Sequence, residues 1–536
     1  MNISPQSTTD GIASWMLRRG LATIILLLCL FQLATWIPHL LTWPLFVDHD
    51  VFATMARGWD RGVLPYREAR GNNFPGTIYL FLTVGKVFGW GKTWPIFALD
   101  SLFVVTFGLA MIRWNYGRSR RILPGVVGFA TFLSYYLAAD YTLVFQRDWH
   151  SPLFLMLGWM IADGRRTRSS LVISALCAAI AFSIRPQVVL LIPAILFCWS
   201  RDDEGNRRGL WSTARASLAW LGWFGGFSAL LFLPIIAQGL WPDFIEGVRL
   251  AAYGGTYSQA TWPRALKIAA LQAIHLNDLI IPVGLLLLLP RANPKLRSSA
   301  WACLIALAGA WCYRPASPVP WPYLAHPYHV VLAVAVAMLV QMILEREWES
   351  SSTTLVVVLF VIVAAGVTVR PKYCSVQASL RAINDLRKGG LPEQPPIGCV
   401  VPMIPEDEQP YRWEDYRGVL RYLRDQTPPD TKVANLLVKA PALDAPANRT
   451  SALPAESLAW LVVAPRDLTS FSEAIEKSDK HSVVVWSPDE ANPERTHRLS
   501  AAVRQLAPTI RRAYEFQARF GVIEVWRRRD HPIPAH

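Results

Sequence analysis

The first long apolar run, Leu21 to Leu41, contains no Lys, Arg, Asp or Glu and is long enough to cross a bilayer, and runs like it recur as far as about residue 370. With 52% hydrophobic and 17% charged residues spread over 536 positions, the chain holds more apolar material than one soluble core needs. The expected fold class is a polytopic α-helical membrane protein. Its net charge of +14 does not point to nucleic acid, because the basic residues fall in short clusters between apolar runs. Split before Arg370, the chain carries an excess of about eleven positive charges in the first part and about three beyond it, so the surplus sets topology.

Arg18 and Arg19 precede the first run, which is too long for a signal-peptide core and lacks an A-x-A site; it reads as an uncleaved helix with its N-terminus cytoplasmic. The segment 76–90 is apolar enough to cross. As a crossing it would turn the Arg113, Arg118, Arg120, Arg121 cluster outward, so it is placed along the outer interface instead. Further crossings are then expected at about 95–112, 122–139, 150–164, 169–184, 186–199, 216–236, 276–290, 299–314, 327–344 and 353–369. About eleven crossings leave the remainder of the chain extracytoplasmic. Gly222 and Gly226 form a small-xxx-small pair that fits close helix packing. A long outer loop follows at about 238–276, its second half a candidate interfacial helix.

Two domains are expected: a transmembrane domain at 1–370, with an outer catalytic loop at 42–94, and an α/β soluble domain at 371–536. In the second, Trp413 to Asp425 reads as an amphipathic helix, with strands expected at Lys432–Val438, Leu458–Val463, Ser482–Trp486 and Val522–Trp526 and helices at Thr469–Ser478 and His497–Gln505. No glycine-rich nucleotide loop occurs there. Cys374 and Cys399 bracket a short part of this region and are disulfide candidates if it lies outside the cytoplasm, whereas the other five cysteines sit in apolar runs.

The loop itself runs LFVDHDVFATMARGWDRGVLPYREARGNNFPGTIY from Leu45 to Tyr79. Asp48 and Asp50 flank His49 where the first helix leaves the bilayer, a costly place for ionisable groups. They can simply cap the next helix, or they can do chemistry. The predicted topology gathers further groups on the same face: Asp100, Asp140 and Asp148, the cations Arg67, Arg70, Lys86, Arg147, Arg185, Arg249 and Arg264, and His326 and His329. Carboxylates beside a ring of cations suit a transfer in which a lipid-carrier phosphate is the leaving group. A carboxylate takes the proton of an attacking hydroxyl while cations stabilise the departing phosphate. Interfacial ion pairs and headgroup anchors explain the same residues singly.

The string Asp48-His49-Asp50-Val51-Phe52, then Ala56-Arg57-Gly58-Trp59, Pro65-Tyr66-Arg67-Glu68 and Asn73-Phe74-Pro75-Gly76, resembles the first outer loop of membrane glycosyltransferases of the GT-C fold. The branch it is most similar to holds the protein O-mannosyltransferases and the lipid A aminoarabinose transferase. QRDWHSPLFLMLGW resembles the second acidic loop of that group and AFSIRPQVVLLIPA its helix ending in a basic-Pro pair, the similarity covering about the first 345 residues. The resemblance implies an inverting glycosyltransferase of the cell membrane. It would move a sugar from a polyprenyl-phosphate carrier to a lipid, protein or polysaccharide hydroxyl. Asp48 takes the place of the general base, though Asp50 competes for it because His49 stands where an acid often follows. Asp148 takes the place of the second acid, which in relatives arranges the site or a metal. Asp48, Asp148 and His49 are thus the candidate ligands of a divalent ion. Tyr66, Arg67, Lys86, Arg147, Arg185, Arg249, Arg264, His326 and His329 are the candidate donor contacts. A transporter or flippase is the rival reading, and it would want an internal repeat and mid-membrane charges, neither of which is evident.

Overall fold

A computed structural model describes residues 6–45, 47–139, 143–253, 276–313, 322–345, 359, 375–388, 392–394, 411–438, 442–494 and 498–530. The expected crossing at 353–369, apart from Leu359, and the Cys374–Cys399 pair are among the expectations that fall outside these residues.

Helix α1 (Gln6–Thr42) leads into the loop helix α2 (Val47–Asp60) and then α3 (Pro75–Phe88). Next come α4 (Trp94–Ser119), α5 (Leu123–Ala138), α6 (Arg147–Gly164), α7 (Arg168–Ile184), a 3₁₀ stretch at Pro186–Leu191 and α8 (Ile192–Trp199). The helical part continues with α9 (Leu210–Ala237), α10 (Trp241–Tyr253), α11 (Leu276–Leu288), α12 (Pro294–Tyr313) and α13 (His326–Glu345). Among the described residues four helical spans are long and apolar enough to cross a membrane, Met16–Thr42, Trp94–Ser119, Leu210–Ala237 and Tyr323–Glu345, and several shorter apolar helices accompany them. At about 1.5 Å per residue α3 is some 21 Å long, short of a ~30 Å hydrocarbon core.

Helix α13 is the axis of the bundle. From Val330 to Leu344 its residues are buried, which is why it reads as apolar all round rather than amphipathic. Helix α10 occupies the first half of the long loop, and the second half, where an interfacial helix was expected, lies outside the described residues. Among the described residues nothing packs closely on Gly222 or Gly226, since a methyl built on either would meet no atom within 4 Å.

At one end of α6, Asp163 accepts from Trp114 Nε1 at 3.0 Å and Ser299 Oγ at 2.7 Å and pairs with the Arg118 guanidinium. The pair is almost wholly buried and ties α4, α6 and α12 together. Removing one partner strands the other charge, so Asp163→Ala is expected to cost about 3–5 kcal/mol. Detergent-purified protein with an unchanged thermal midpoint would refute this.

Beyond the bundle, α14 (Val376–Lys388) packs on α1, where Ser379 Oγ donates to Thr35 O at 2.5 Å. The C-terminal part is a mixed sheet of five strands in the order β2-β1-β3-β5-β4, with β1 at Lys432–Asn435, β2 at Thr450–Ser451, β3 at Val483–Trp486, β4 at Tyr514–Phe520 and β5 at Ile523–Arg528. Strand β1 is parallel to β2 and β3, and β5 is antiparallel to β3 and β4. Helices α15 (Trp413–Asp425), α16 (Trp460–Val463), α17 (Leu468–Glu476) and α18 (Arg498–Ala513) cover it. The strand expected at Leu458–Val463 is instead the single turn α16. A short apolar run does not discriminate the two, and β3 already has β1 on one edge and β5 on the other. Helix α18 also runs past the expected end at Gln505 and through Pro508.

Candidate functional site

Local chemistry aims the groups at the α2, α6 and α7 termini. Gln146 is extended at the N-cap of α6, which places Asp148 in the first turn, where a carboxylate opposes the positive end of the helix. Pro186 disfavours helical geometry at the residue before it, so α7 stops and Arg185 adopts φ −150°, ψ 110°. Its Nε then lies 3.1 Å from Asp148 Oδ1 and donates to the Tyr313 hydroxyl at 3.3 Å. Tyr313, the last residue of α12, donates to the same Asp148 oxygen at 2.8 Å. Asp148 is fully buried, and its other oxygen has no hydrogen bond among the described residues, with Arg147 Nε 4.0 Å away.

Gln146 links this cluster to the loop, donating from Nε2 to Asp48 Oδ2 at 2.9 Å. Asp48, half-buried, and Asp148, buried, therefore stand at one end of the bundle. Asp163 is at the other end of α6, roughly 22 Å along the helix by its rise per residue. Arg147 donates to Asn73 Oδ1 and lies over the Phe52 ring, 5.7 Å from its centroid.

The buried Asp100, near the N-terminal end of α4, accepts from Tyr136 and His150 Nε2, the latter at 2.7 Å. These bonds pin the first turn of α6 and thus the backbone that carries Asp148.

Asp50 faces other partners. It accepts from Thr54 Oγ1 at 3.2 Å and lines a small cavity of about 60 Å³ together with Asp444 and Glu456 of the C-terminal part. Burial pushes its acid from the usual 3.8 up to about 7 and that of Asp444 well above the ordinary range. A raised carboxyl pKa means the folded state holds the proton more firmly than the unfolded one. Stability therefore falls as pH climbs from about 4 to about 7 and stays lower above. Asp50→Asn is expected to raise the thermal midpoint at pH 8 and to match the wild type near pH 4; equal midpoints at pH 8 would contradict this.

His49 is buried between Phe97 and Phe145, and its Nε2 donates to the Val144 carbonyl at 3.0 Å. Burial lowers its pKa to about 4. That ring is committed to structure and does not join Asp48 and Asp148 as a ligand set. Among the described residues no three His, Cys, Asp or Glu side chains form a group that could hold a metal ion.

The remaining candidates divide. Tyr66 is buried at φ +67°, with its hydroxyl donating to Asn73 O at 2.8 Å, and so shapes the loop. Arg67 binds Asp243 at 2.9 Å and Gly239 O at 2.6 Å, joining the loop to α10. Lys86 is exposed, 3.8 Å from Asp60, and Arg249 is exposed beside Glu246 at 2.7 Å. His326 stacks on Trp149 and His329 on Tyr135, with ring centroids 3.9 and 4.2 Å apart. Arg264 and Asp140 lie outside the described residues. The sequence assigned no role to Gln146, Asn73, Tyr313 or Glu456, although Gln146 and Asn73 stand in the strings QRDWHSP and Asn73-Phe74-Pro75-Gly76 that carry the resemblance.

The described chain is thus a helical membrane bundle whose loop end carries paired acids and arginines, with a small mixed-sheet domain following it. No family model and no curated protein sequence matches the chain. The fold does match two crystal structures of ArnT from Cupriavidus metallidurans. One is in the apo state (TM-score 0.55, 13% identity, covering 95% of this chain and 98% of that one) and the other is bound to undecaprenyl phosphate (0.55, 13%, 96% and 99%). At that identity the likeness establishes the fold, from the first membrane helix to the C-terminal sheet.

Proposed function

We propose that the chain is an inverting glycosyltransferase that takes a sugar from a polyprenyl-phosphate carrier and passes it to a hydroxyl acceptor at the extracytoplasmic face of the cell membrane. The observation that carries the reading is the Asp48 carboxylate, half-open and one glutamine away from the Arg147–Asp148–Arg185 cluster. Support also comes from the fold shared with ArnT, one structure of which binds undecaprenyl phosphate.

In this reading Asp48 is the base. It removes the proton of the acceptor hydroxyl as that oxygen attacks the anomeric carbon. The bond from that carbon to the phosphate oxygen breaks, and the lipid phosphate leaves with the electron pair. Arg147 and Arg185 meet the charge that builds on it. Asp148 and Tyr313 hold Arg185 in place before the substrate arrives, so no reorganisation is needed during the step. Attack opposite the leaving group inverts the anomeric centre.

The test is incubation of membranes containing the chain with a panel of radiolabelled polyprenyl-phosphate sugars and hydroxyl acceptors. Transfer with inverted configuration supports the reading. Failure of every donor to react or bind would end it.

A further inference from the structure

Glu456 comes from the C-terminal domain, yet it is built into the loop that carries the membrane cluster. The Arg70 N–H donates to Pro454 O at 3.2 Å and the Glu456 N–H donates to Arg70 O at 2.8 Å, so that Arg70 and Ala455 pair as a short parallel bridge. The Arg70 side chain clamps the same segment, reaching Pro454 O at 3.1 Å, Asp467 at 2.6 Å and Ser470 Oγ at 2.7 Å. With its backbone fixed, Glu456 sends its carboxylate into the loop, where Oε2 accepts from Asn73 Nδ2 at 2.9 Å. Glycine at 71 leaves room for this carboxylate, since a methyl there would sit 2.3 Å from that oxygen and displace it.

Asn73 is the link to the membrane cluster. Its amide presents Oδ1 to Arg147 and Nδ2 to Glu456. Turned over, the amide would set an N–H against the guanidinium N–H groups and an oxygen against a carboxylate, two mismatches at buried groups. Burial pushes the Glu456 acid up to about 7, so above that pH its carboxylate only accepts, a guanidinium only donates, and the two together allow one orientation. Remove the carboxylate and nothing on the far side selects it.

We propose that Glu456 is a positioning residue of the donor site: through the Asn73 amide it fixes the Arg147 guanidinium, which makes the C-terminal domain part of the apparatus that grips a lipid phosphate. This rests on the donor reading above. The domain is then more than a cap, because its docking completes a contact chain that begins at Ala455 and ends at the arginine.

The test uses the full chain and undecaprenyl phosphate as probe, with affinity read from tryptophan fluorescence in detergent for the wild type, N73A, E456A and the double variant. Each single change is expected to weaken binding by about tenfold, and the double by about the same, because both cut one link. In transfer assays the loss is expected in KM for the donor, with kcat within about threefold. E456Q, which keeps the shape and one acceptor oxygen, is expected to recover most of the affinity if E456A is poorly folded. Wild-type affinity in E456A, or a double variant weakened by about a hundredfold through additive losses, would overturn the proposal while leaving the donor reading intact. A wild type that does not bind the probe, with its thermal midpoint unaltered by it, would overturn the donor reading and this inference with it.

Discussion

Asp48→Asn is expected to lower sugar transfer by about two to four orders of magnitude while leaving donor binding nearly unchanged. The amide can still accept from Gln146, so the local geometry survives, but it cannot take a proton from the acceptor hydroxyl. A positioned base contributes that much only if it is ionised and reachable. Asp48 meets the second condition better than Asp50, which is buried against Thr54 and the cavity shared with Asp444. The comparison is therefore paired: Asp50→Asn should keep most of the transfer activity. If the two effects were reversed, with Asp50 essential and Asp48 dispensable, the base has been assigned to the wrong carboxylate.

The second large effect is expected at Asp148. It lies wholly buried between Arg185 and Tyr313, and its removal leaves the guanidinium without its compensating charge. Asp148→Ala should cost about 3–5 kcal/mol of stability and abolish transfer, because Arg185 is no longer aimed. Replacing both partners, Asp148→Asn with Arg185→Gln, should return much of the thermal midpoint and none of the activity. A buried pair exchanged for neutral groups is often tolerated, whereas the phosphate contact is lost. Recovery of activity in the double variant would show that neither charge serves the reaction.

Much of the bundle was legible because lipid leaves few choices. Apolar runs must be helices, and the basic clusters set their direction. That rule alone put Asp48 and Asp148 at one end, where Gln146 now joins them. The Arg185–Pro186 pair was legible for a backbone reason, since proline ends α7 and releases the arginine toward Asp148. The cations were harder. Topology says which face a side chain shares but not which neighbour claims it, and Arg67 and Arg249 are held by Asp243 and Glu246. In the sheet domain, β4 escaped notice because its residues are mostly exposed, and its pairing with β5 depends on the turn at Gly521, at φ +56°. Glu456 carried no signal at all. Its place depends on a bridge between residues 70 and 455, a pairing that no local pattern announces.

Density for undecaprenyl phosphate bound to the full chain tests the central assignment most directly. The expected result is a phosphate within about 3 Å of both the Arg147 and Arg185 guanidiniums, with Asp48 facing the space on the side where an acceptor would enter. A phosphate bound elsewhere, at the Asp163–Arg118 end of the bundle or on the exposed Arg249 surface, would contradict it.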